Sequence, residues 1–232
     1  MLVKVINPNT SAQMTEVIGR AARAVAGPGT EVRAVTAPMG PASVESHYDE
    51  ALSVPGVLAS LGDADGYVIA CFGDPGLDAA RELADGPVVG IAEAAMRAAA
   101  YLGRGFSVVT TVARARGRTW DLAAHYGVRR SCLGVHACEV PVLEIAAEPV
   151  LATCRKALES DEPDAIVLGC AGMAHLTASL SAELGVPVVD GVQAATLAVE
   201  SLLRMGLRTG ARGEFAAPPA KPYAGLLADF GS

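Results

Sequence analysis

Short apolar runs rich in valine and isoleucine alternate along the chain with longer, alanine-rich segments. The apolar runs predict strands at Leu2 to Ile6, Glu31 to Thr36, Gly66 to Ala70, Pro87 to Gly90, Phe106 to Thr110, Arg129 to Val135, Ala165 to Gly169 and Pro187 to Asp190. Helices are predicted between them at Ala12 to Ala26, Leu77 to Ala84, Glu93 to Leu102, Arg116 to Tyr126, Val142 to Glu159, Ala174 to Leu184 and Gln193 to Met205, with a long loop from Ala37 to Tyr48. Strands apolar along their whole length are buried on both faces, and a helix after each strand is the connection that a parallel sheet requires. The pattern is that of an α/β fold assembled from βα units.

The chain also reads twice. "DGYVIACFGDPG", from Asp65, matches "DAIVLGCAGMAH", from Asp164, in register, so that Cys71 falls on Cys170. "GPVVGIAEAA" from Gly86 resembles "VPVVDGVQAA" from Val186, and "VKVINPNT" from Val3 is a weaker counterpart of "FSVVTTVA" from Phe106. Three matches in the same order, at offsets of 99 to 103, predict duplicated halves. Two such lobes, related by a pseudo-twofold axis, each hold a parallel four-stranded sheet with helices on both faces. Their strand C-termini then meet across an inter-lobe cleft, where open α/β sheets bind ligands. Residues 1–97 plus 207–232 are expected in the first lobe and 98–206 in the second.

Composition narrows the partners. The chain has 232 residues, 51% of them hydrophobic and 19% charged, enough apolar material for a large core. A net charge of −7 and the lack of a Lys/Arg run argue against nucleic acid and against an anionic membrane surface. No stretch reaches the roughly 20 apolar residues that span a bilayer. Asn7, Pro8 and Asn9 interrupt the apolar N-terminus before it resembles a signal peptide, so a cytoplasmic protein with a small-molecule partner is expected. Five cysteines, an odd number without an export signal, are expected as thiols, and no metal site is expected because C-x-x-C spacing is absent and the four histidines are scattered.

Cys71 and Cys170 each end an apolar run and precede a turn of small residues: Gly73, Asp74, Pro75 and Gly76 in one case, Ala171 and Gly172 in the other. Backbone N–H groups and the positive end of a helix dipole at such a position favour a thiolate. Asp74-Pro75 is read as an N-cap followed by proline at the first helical position. A buried cysteine is otherwise a small hydrophobe, the reading that Cys132, Cys138 and Cys154 keep. Two cysteines facing one cleft place identical acid/base groups on opposite sides of a ligand carbon, the requirement for stereoinversion. A modest shift from the ordinary thiol value near 8.5 is expected to poise one thiolate and one thiol at neutral pH.

At these residues the chain resembles the hydantoin racemase branch of the aspartate/glutamate racemase superfamily over nearly its whole length. The motifs that carry the resemblance are "INPNTS" from Ile6, "GPASVESHYDE" from Gly40, "CFGDPGLDAARE" from Cys71, "PVVGIAEAA" from Pro87 and "LGCAGM" from Leu168. The resemblance implies two flavodoxin-like lobes, with the C-terminal segment returning to the first. It implies a cofactor-independent racemase that interconverts the enantiomers of 5-substituted hydantoins, allantoin among them, and so a cyclic ureide as the small-molecule substrate. Carried over, Cys71 and Cys170 are the acid/base pair. Pro8 and Asn9 line the cleft, Phe72, Gly73, Ala171 and Gly172 bind the polar ring atoms, and Thr111 and Val112 close it.

The departures are informative too. Amino-acid racemases of the superfamily carry Asn-Thr after the first cysteine and Thr-His after the second, where this chain has Phe72-Gly73 and Ala171-Gly172. The less polar pairs favour a neutral ring. An amino-acid racemase, a maleate-type isomerase and a two-lobed binding protein without chemistry stay open as alternatives. Glu93 and Asp190 are read as helix-start carboxylates or cleft residues, and Glu45, Ser46 and His47 as loop residues within reach of a substrate. Asn7, Asn9, Thr10 and Ser11 are read as turn and cap residues and His175 as a packing or surface residue. The Pro- and Ala-rich stretch from Gly213 is expected to lie against a lobe or a neighbouring subunit of a homo-oligomer.

Overall fold

The computed structural model describes residues 1–230; the last two positions of the expected first-lobe tail, 231 and 232, lie outside the described residues. The first sheet comprises β1 (Leu2–Asn7), β2 (Glu31–Thr36), β3 (Gly66–Ile69) and β4 (Val88–Gly90) in the order β2-β1-β3-β4. The second comprises β5 (Phe106–Thr110), β6 (Cys132–Ala137), β7 (Ala165–Leu168) and β8 (Val188–Asp190) in the equivalent order β6-β5-β7-β8. Every pairing is parallel. The helices between and after them are α1 (Ala12–Val25), α2 (His47–Ala59), α3 (Leu77–Leu83), α4 (Ile91–Ala99), α5 (Ala115–His125), α6 (Ala147–Asp161), α7 (Thr177–Leu184) and α8 (Gly191–Arg204). Among the described residues, no helix is long and apolar enough to cross a membrane.

Strand alternation explains how the two sheets are held together. Val3, Val5 and Val68 of the first sheet point into the same core as Phe106, Val108, Ala165 and Val167 of the second. The intervening residues point outward: Ile6, Tyr67 and Ile69 toward Val57 of α2 and Leu77 and Ala80 of α3, and Val109, Ile166 and Leu168 toward α6 and α7. The inner strands β3 and β7 are covered on both faces and buried at every position.

The shared core is filled by exchanged helices. α4 follows the first sheet but also packs on β7 and β8 of the second, whereas α8 follows the second sheet and packs on β1, β3 and β4 of the first. The expected boundary between residues 97 and 98 therefore cuts through α4, and the expected second lobe, 98–206, ends with a helix that covers the first sheet. Their alanines, Ala92, Ala95 and Ala195 among them, are fully buried and let the helices approach closely. The two helix starts meet at Gly191, where an added Cβ would stand 2.6 Å from the carbonyl oxygen of Ile91. Beyond α8, Thr209 Oγ1 donates to the Gly86 carbonyl of the first lobe (3.4 Å).

Four elements differ from the sequence-based expectation. α2 was not predicted: it contains Pro55 and is weakly amphipathic, which hides its periodicity. β6 begins at Cys132 rather than Arg129, because residues 128–132 form the turn that closes α5, with the amides of Ser131 and Cys132 donating to the Val128 carbonyl. The predicted helix from Val142 splits into a 3-10 turn (Val142–Glu144) and α6, which starts so that Pro149 falls in its first turn, where its missing N–H does no harm. The predicted helix from Ala174 is a 3-10 turn (Ala171–Leu176) followed by α7.

Candidate active site

A cleft of about 380 Å³ lies between the C-terminal ends of the two sheets, within the range of small-molecule sites. All ten residues singled out from the sequence line it: Pro8 and Asn9 after β1, Cys71, Phe72 and Gly73 after β3, Thr111 and Val112 after β5, and Cys170, Ala171 and Gly172 after β7. Corresponding strands of the two halves thus deliver corresponding residues to one space.

Local structure fixes these positions. After β1, Asn7 Nδ2 donates to Asn9 Oδ1 (2.8 Å), to the Ser11 carbonyl (3.1 Å) and to Thr15 Oγ1 (3.0 Å), while Asn9 Oδ1 accepts from the Ser11 amide (2.9 Å). Ser11 caps α1 by accepting from the Met14 amide (3.2 Å). The "NPNTS" loop is therefore a buried polar brace that presents Pro8 and Asn9 to the cleft. In the second half, Thr110 is buried and donates to the Gly169 carbonyl (3.3 Å), tying β5 to the chain just before Cys170.

The loop that precedes α2 closes the cleft from the first lobe. Glu45, Ser46 and His47 line it, as the sequence anticipated, and so do Val44, Tyr48 and Glu50. Glu45 Oε1 accepts from the Val142 amide across the lobes (3.0 Å). Arg118 of α5 pairs with Glu50 (2.7 Å) and donates to the Gly73 carbonyl beside the first cysteine (3.1 Å). Met14, Thr110, Arg114, Arg118, Thr119 and Val142 also line the space and were not singled out from sequence. The one available signal was Ser46-His47-Tyr48-Asp49, a capping box: the Ser46 hydroxyl accepts from the Asp49 amide (3.1 Å), starting α2 and bringing Glu50 inward.

Cys71 and Cys170 are half-buried and line the cleft. Burial pushes the Cys71 thiol up to about 12, reinforced by the nearby Cys170, Asp74 and Glu50, while the amide of Gly73 works in the opposite direction. Cys170 is likewise pushed up to about 12 by burial, with Cys138, Glu45 and Asp190 adding to it and the Gly172 amide opposing. The expectation of a modest shift that leaves one thiolate at neutral pH is not met: desolvation outweighs the backbone donors, and both sulfurs rest as thiols. The Gly73 and Gly172 amides favour the ionised form of the sulfur each follows.

The two candidate carboxylates outside the cleft are helix-start residues, the first of the two readings the sequence offered. Glu93 pairs with Arg81 (2.7 Å) and Arg97 (2.9 Å). Asp190 caps α8, accepting from the Gln193 amide (2.9 Å). Asp74 does not cap the helix that follows it, whose N-cap is Gly76 in the left-handed conformation. Instead, at φ 48°, it reaches sideways to the start of α4, accepting from the amides of Ala92 (3.0 Å) and Glu93 (2.9 Å). His175 is exposed, with Nδ1 2.9 Å from the Gly172 carbonyl oxygen.

Residues 3–199 match the family model described as Asp/Glu/Hydantoin racemase. The chain belongs to this family. It is 43% identical to the hydantoin racemase of Pseudomonas sp. (strain NS671) over 242 aligned positions that cover 100% of this chain and 97% of that one. It is 44% identical to the hydantoin racemase of Rhizobium meliloti, covering 97% of this chain and 98% of the other. Among solved structures, the allantoin racemase from Klebsiella pneumoniae superposes with a TM-score of 0.95 at 48% identity, covering 98% of both chains. The chain is thus a racemase-family enzyme of the isomerase class, and the likeness in fold extends over both lobes.

Proposed function

We propose that the enzyme interconverts the enantiomers of 5-substituted hydantoins, allantoin included, by proton transfer at C5 between Cys71 and Cys170. The observation that carries this is the delivery of one cysteine to each side of a single cleft by equivalent strands of the duplicated halves. Full-length relatives named as hydantoin and allantoin racemases supply the substrate class.

In this mechanism one cysteine first gives up its proton to solvent; its thiolate then removes the C5 proton, and the C–H electron pair moves into the adjacent ring carbonyl as an enolate. The thiol opposite then donates its proton to the other face of C5, and the enolate electrons return to that carbon. The sulfurs end with their protonation states exchanged, so no external oxidant, reductant or cofactor enters the balance. The amides of Phe72 and Ala171 are assigned to the ring's polar atoms, with Thr111 and Val112 closing the space behind it. The Gly73 and Gly172 amides support whichever sulfur is ionised. Phe72-Gly73 and Ala171-Gly172 offer no side-chain partner for an ammonium or carboxylate, which favours a neutral cyclic ureide over a free amino acid. The enzyme is further expected to work in the cytoplasm as a homo-oligomer.

Polarimetry of single-enantiomer allantoin and of 5-alkyl and 5-benzyl hydantoins with purified protein tests the proposal. Decay of rotation without added cofactor is expected. Replacing either cysteine, as Cys71→Ala or Cys170→Ala, should lower the rate by at least about a hundredfold, the usual scale of a lost acid/base group, with the far-UV circular dichroism unchanged. Full racemisation by either variant would overturn it.

A further inference from the structure

Cys71 and Cys170 stand on turns that open alike and then diverge. The Asp74 amide donates to the Cys71 carbonyl and the Met173 amide to the Cys170 carbonyl, both at 3.0 Å. After Cys170 the chain runs straight on as the 3-10 turn Ala171–Leu176, whose i→i+3 bonds support it from within. His175 Nδ1 lies 2.9 Å from the Gly172 carbonyl oxygen inside the same turn. Apolar side chains press on it as well: a Cβ added at Gly172 would stand 2.8 Å from Ile145 Cδ1 and 3.0 Å from Met14 Cε.

The Cys71 turn is built more loosely. Asp74 (φ 48°) and Gly76 (φ 69°) are both left-handed, which interrupts any regular turn between Cys71 and α3. Among the described residues, the nearest atoms that a Cβ at Gly73 would meet are Cδ and Oε2 of Glu50, at 3.7 Å. The turn also borders a second hollow of about 480 Å³, lined by Asp74, Gly76, Leu77, Asp121 and Tyr126.

What fixes this turn comes from the other lobe. Arg118 Nη2, on α5, donates both to the Gly73 carbonyl (3.1 Å) and to Glu50 Oε1 (2.7 Å), the carboxylate that stands against Gly73. Arg118 Nε is buried without a partner among the described residues, so these two bonds place the guanidinium. Hydrogen bonds from a charged donor are roughly twice as strong as neutral ones. Arg118 lines the cleft and the second hollow alike, and so forms part of the wall between them. Gly73 and Gly172 are equivalent positions, each two residues after its cysteine. One carbonyl is met by a neighbour in its own turn, the other by a cation reaching across the cleft.

We propose that Arg118 is a positioning residue for Cys71, holding the Cys71 turn through the Gly73 carbonyl so that the alignment of this sulfur depends on the opposite lobe; this rests on the two-cysteine reading above. Cys170, on a turn fixed by its own bonds and by apolar packing, does not depend on Arg118.

Arg118→Met removes the clamp and keeps the stem. Amide hydrogen exchange of the full-length variant, read by mass spectrometry without substrate, should quicken by about three- to tenfold in peptides spanning residues 71–77 and stay within about twofold in those spanning 170–176. With single-enantiomer allantoin, kcat for racemisation should fall by about ten- to a hundredfold with KM little changed, the scale of a displaced acid/base group. In heavy water, deuterium should still enter C5 of the enantiomer that Cys71→Ala exchanges, at close to the wild-type rate, while the other enantiomer loses exchange along with racemisation. A clasp that merely joins the lobes predicts instead that both peptides quicken together and that exchange falls equally for both enantiomers. Either of those results, or an unchanged 71–77 peptide, overturns the proposal. If Arg118→Met does not fold, Glu50→Gln loosens the same pair of bonds, and the same contrast between the two turns is expected at about two- to threefold. The peptide measurement needs no substrate, so a wild-type protein that leaves hydantoins untouched would count against the proposed function while the two turns still decide the role of Arg118.

Discussion

The two halves share a strand order and a cysteine at the end of the third strand, yet they cap their exchanged helices from different places in the chain. In the first half the carboxylate is Asp74, three residues after Cys71, and the helix-start position is Gly90. In the second half the carboxylate is Asp190, at the position equivalent to Gly90, and the residue three after Cys170 is Met173, fully buried against α6 and α7. A carboxylate at the start of each exchanged helix is common to both; the place in the chain that supplies it is not. A duplicated site can therefore keep its electrostatics while its sequence similarity fades.

The largest effect that probes this comparison is the pH dependence. Since burial raises both thiols to about 12, the fraction carrying one thiolate grows about tenfold per pH unit well below that value. With equivalent halves, kcat/KM for both enantiomers should climb together by about a hundredfold from pH 7 to pH 9, followed by polarimetry. A flat or falling profile for both breaks the account, and a profile that levels off early for one enantiomer identifies the half whose sulfur ionises more readily.

A smaller effect separates the caps. A Cβ at Gly90 would lie 2.2 Å from Asp74 Cγ, whereas the equivalent position 190 already carries a side chain. Gly90→Ala should destabilise the fold by about 1–3 kcal/mol in urea titrations, because the displaced carboxylate leaves the Ala92 and Glu93 amides without their acceptor. An unchanged midpoint would show that the cap in the first half does not depend on the close approach of these two residues.

How far the sequence could be read follows the same physics. Runs rich in valine and isoleucine mark all eight strands, the central ones buried on both faces, and the internal match placed Cys71 and Cys170 at equivalent ends. α2 was hidden because its periodicity is weak and Pro55 interrupts it, and with it went Glu50. Arg118 and Val142 reach the cleft from the second lobe through contacts made only once the lobes pack, as does the sideways turn of Asp74 to α4. The exchange of α4 and α8 is equally silent, since an alanine-rich helix fits either sheet. The upward shift of both thiols was hidden for a related reason: local backbone donors are visible in the sequence, whereas burial in the folded chain is not.

Isotope exchange at C5 in heavy water, followed by NMR for each pure enantiomer with each single-cysteine variant, distinguishes two opposed sulfurs from a single base. With one cysteine left on one face, Cys170→Ala should catalyse washing-in of deuterium with retention for one enantiomer only, and Cys71→Ala for the other only. Exchange of both enantiomers by the same variant, at equal rates above the buffer background, would contradict a division of labour between two opposed sulfurs.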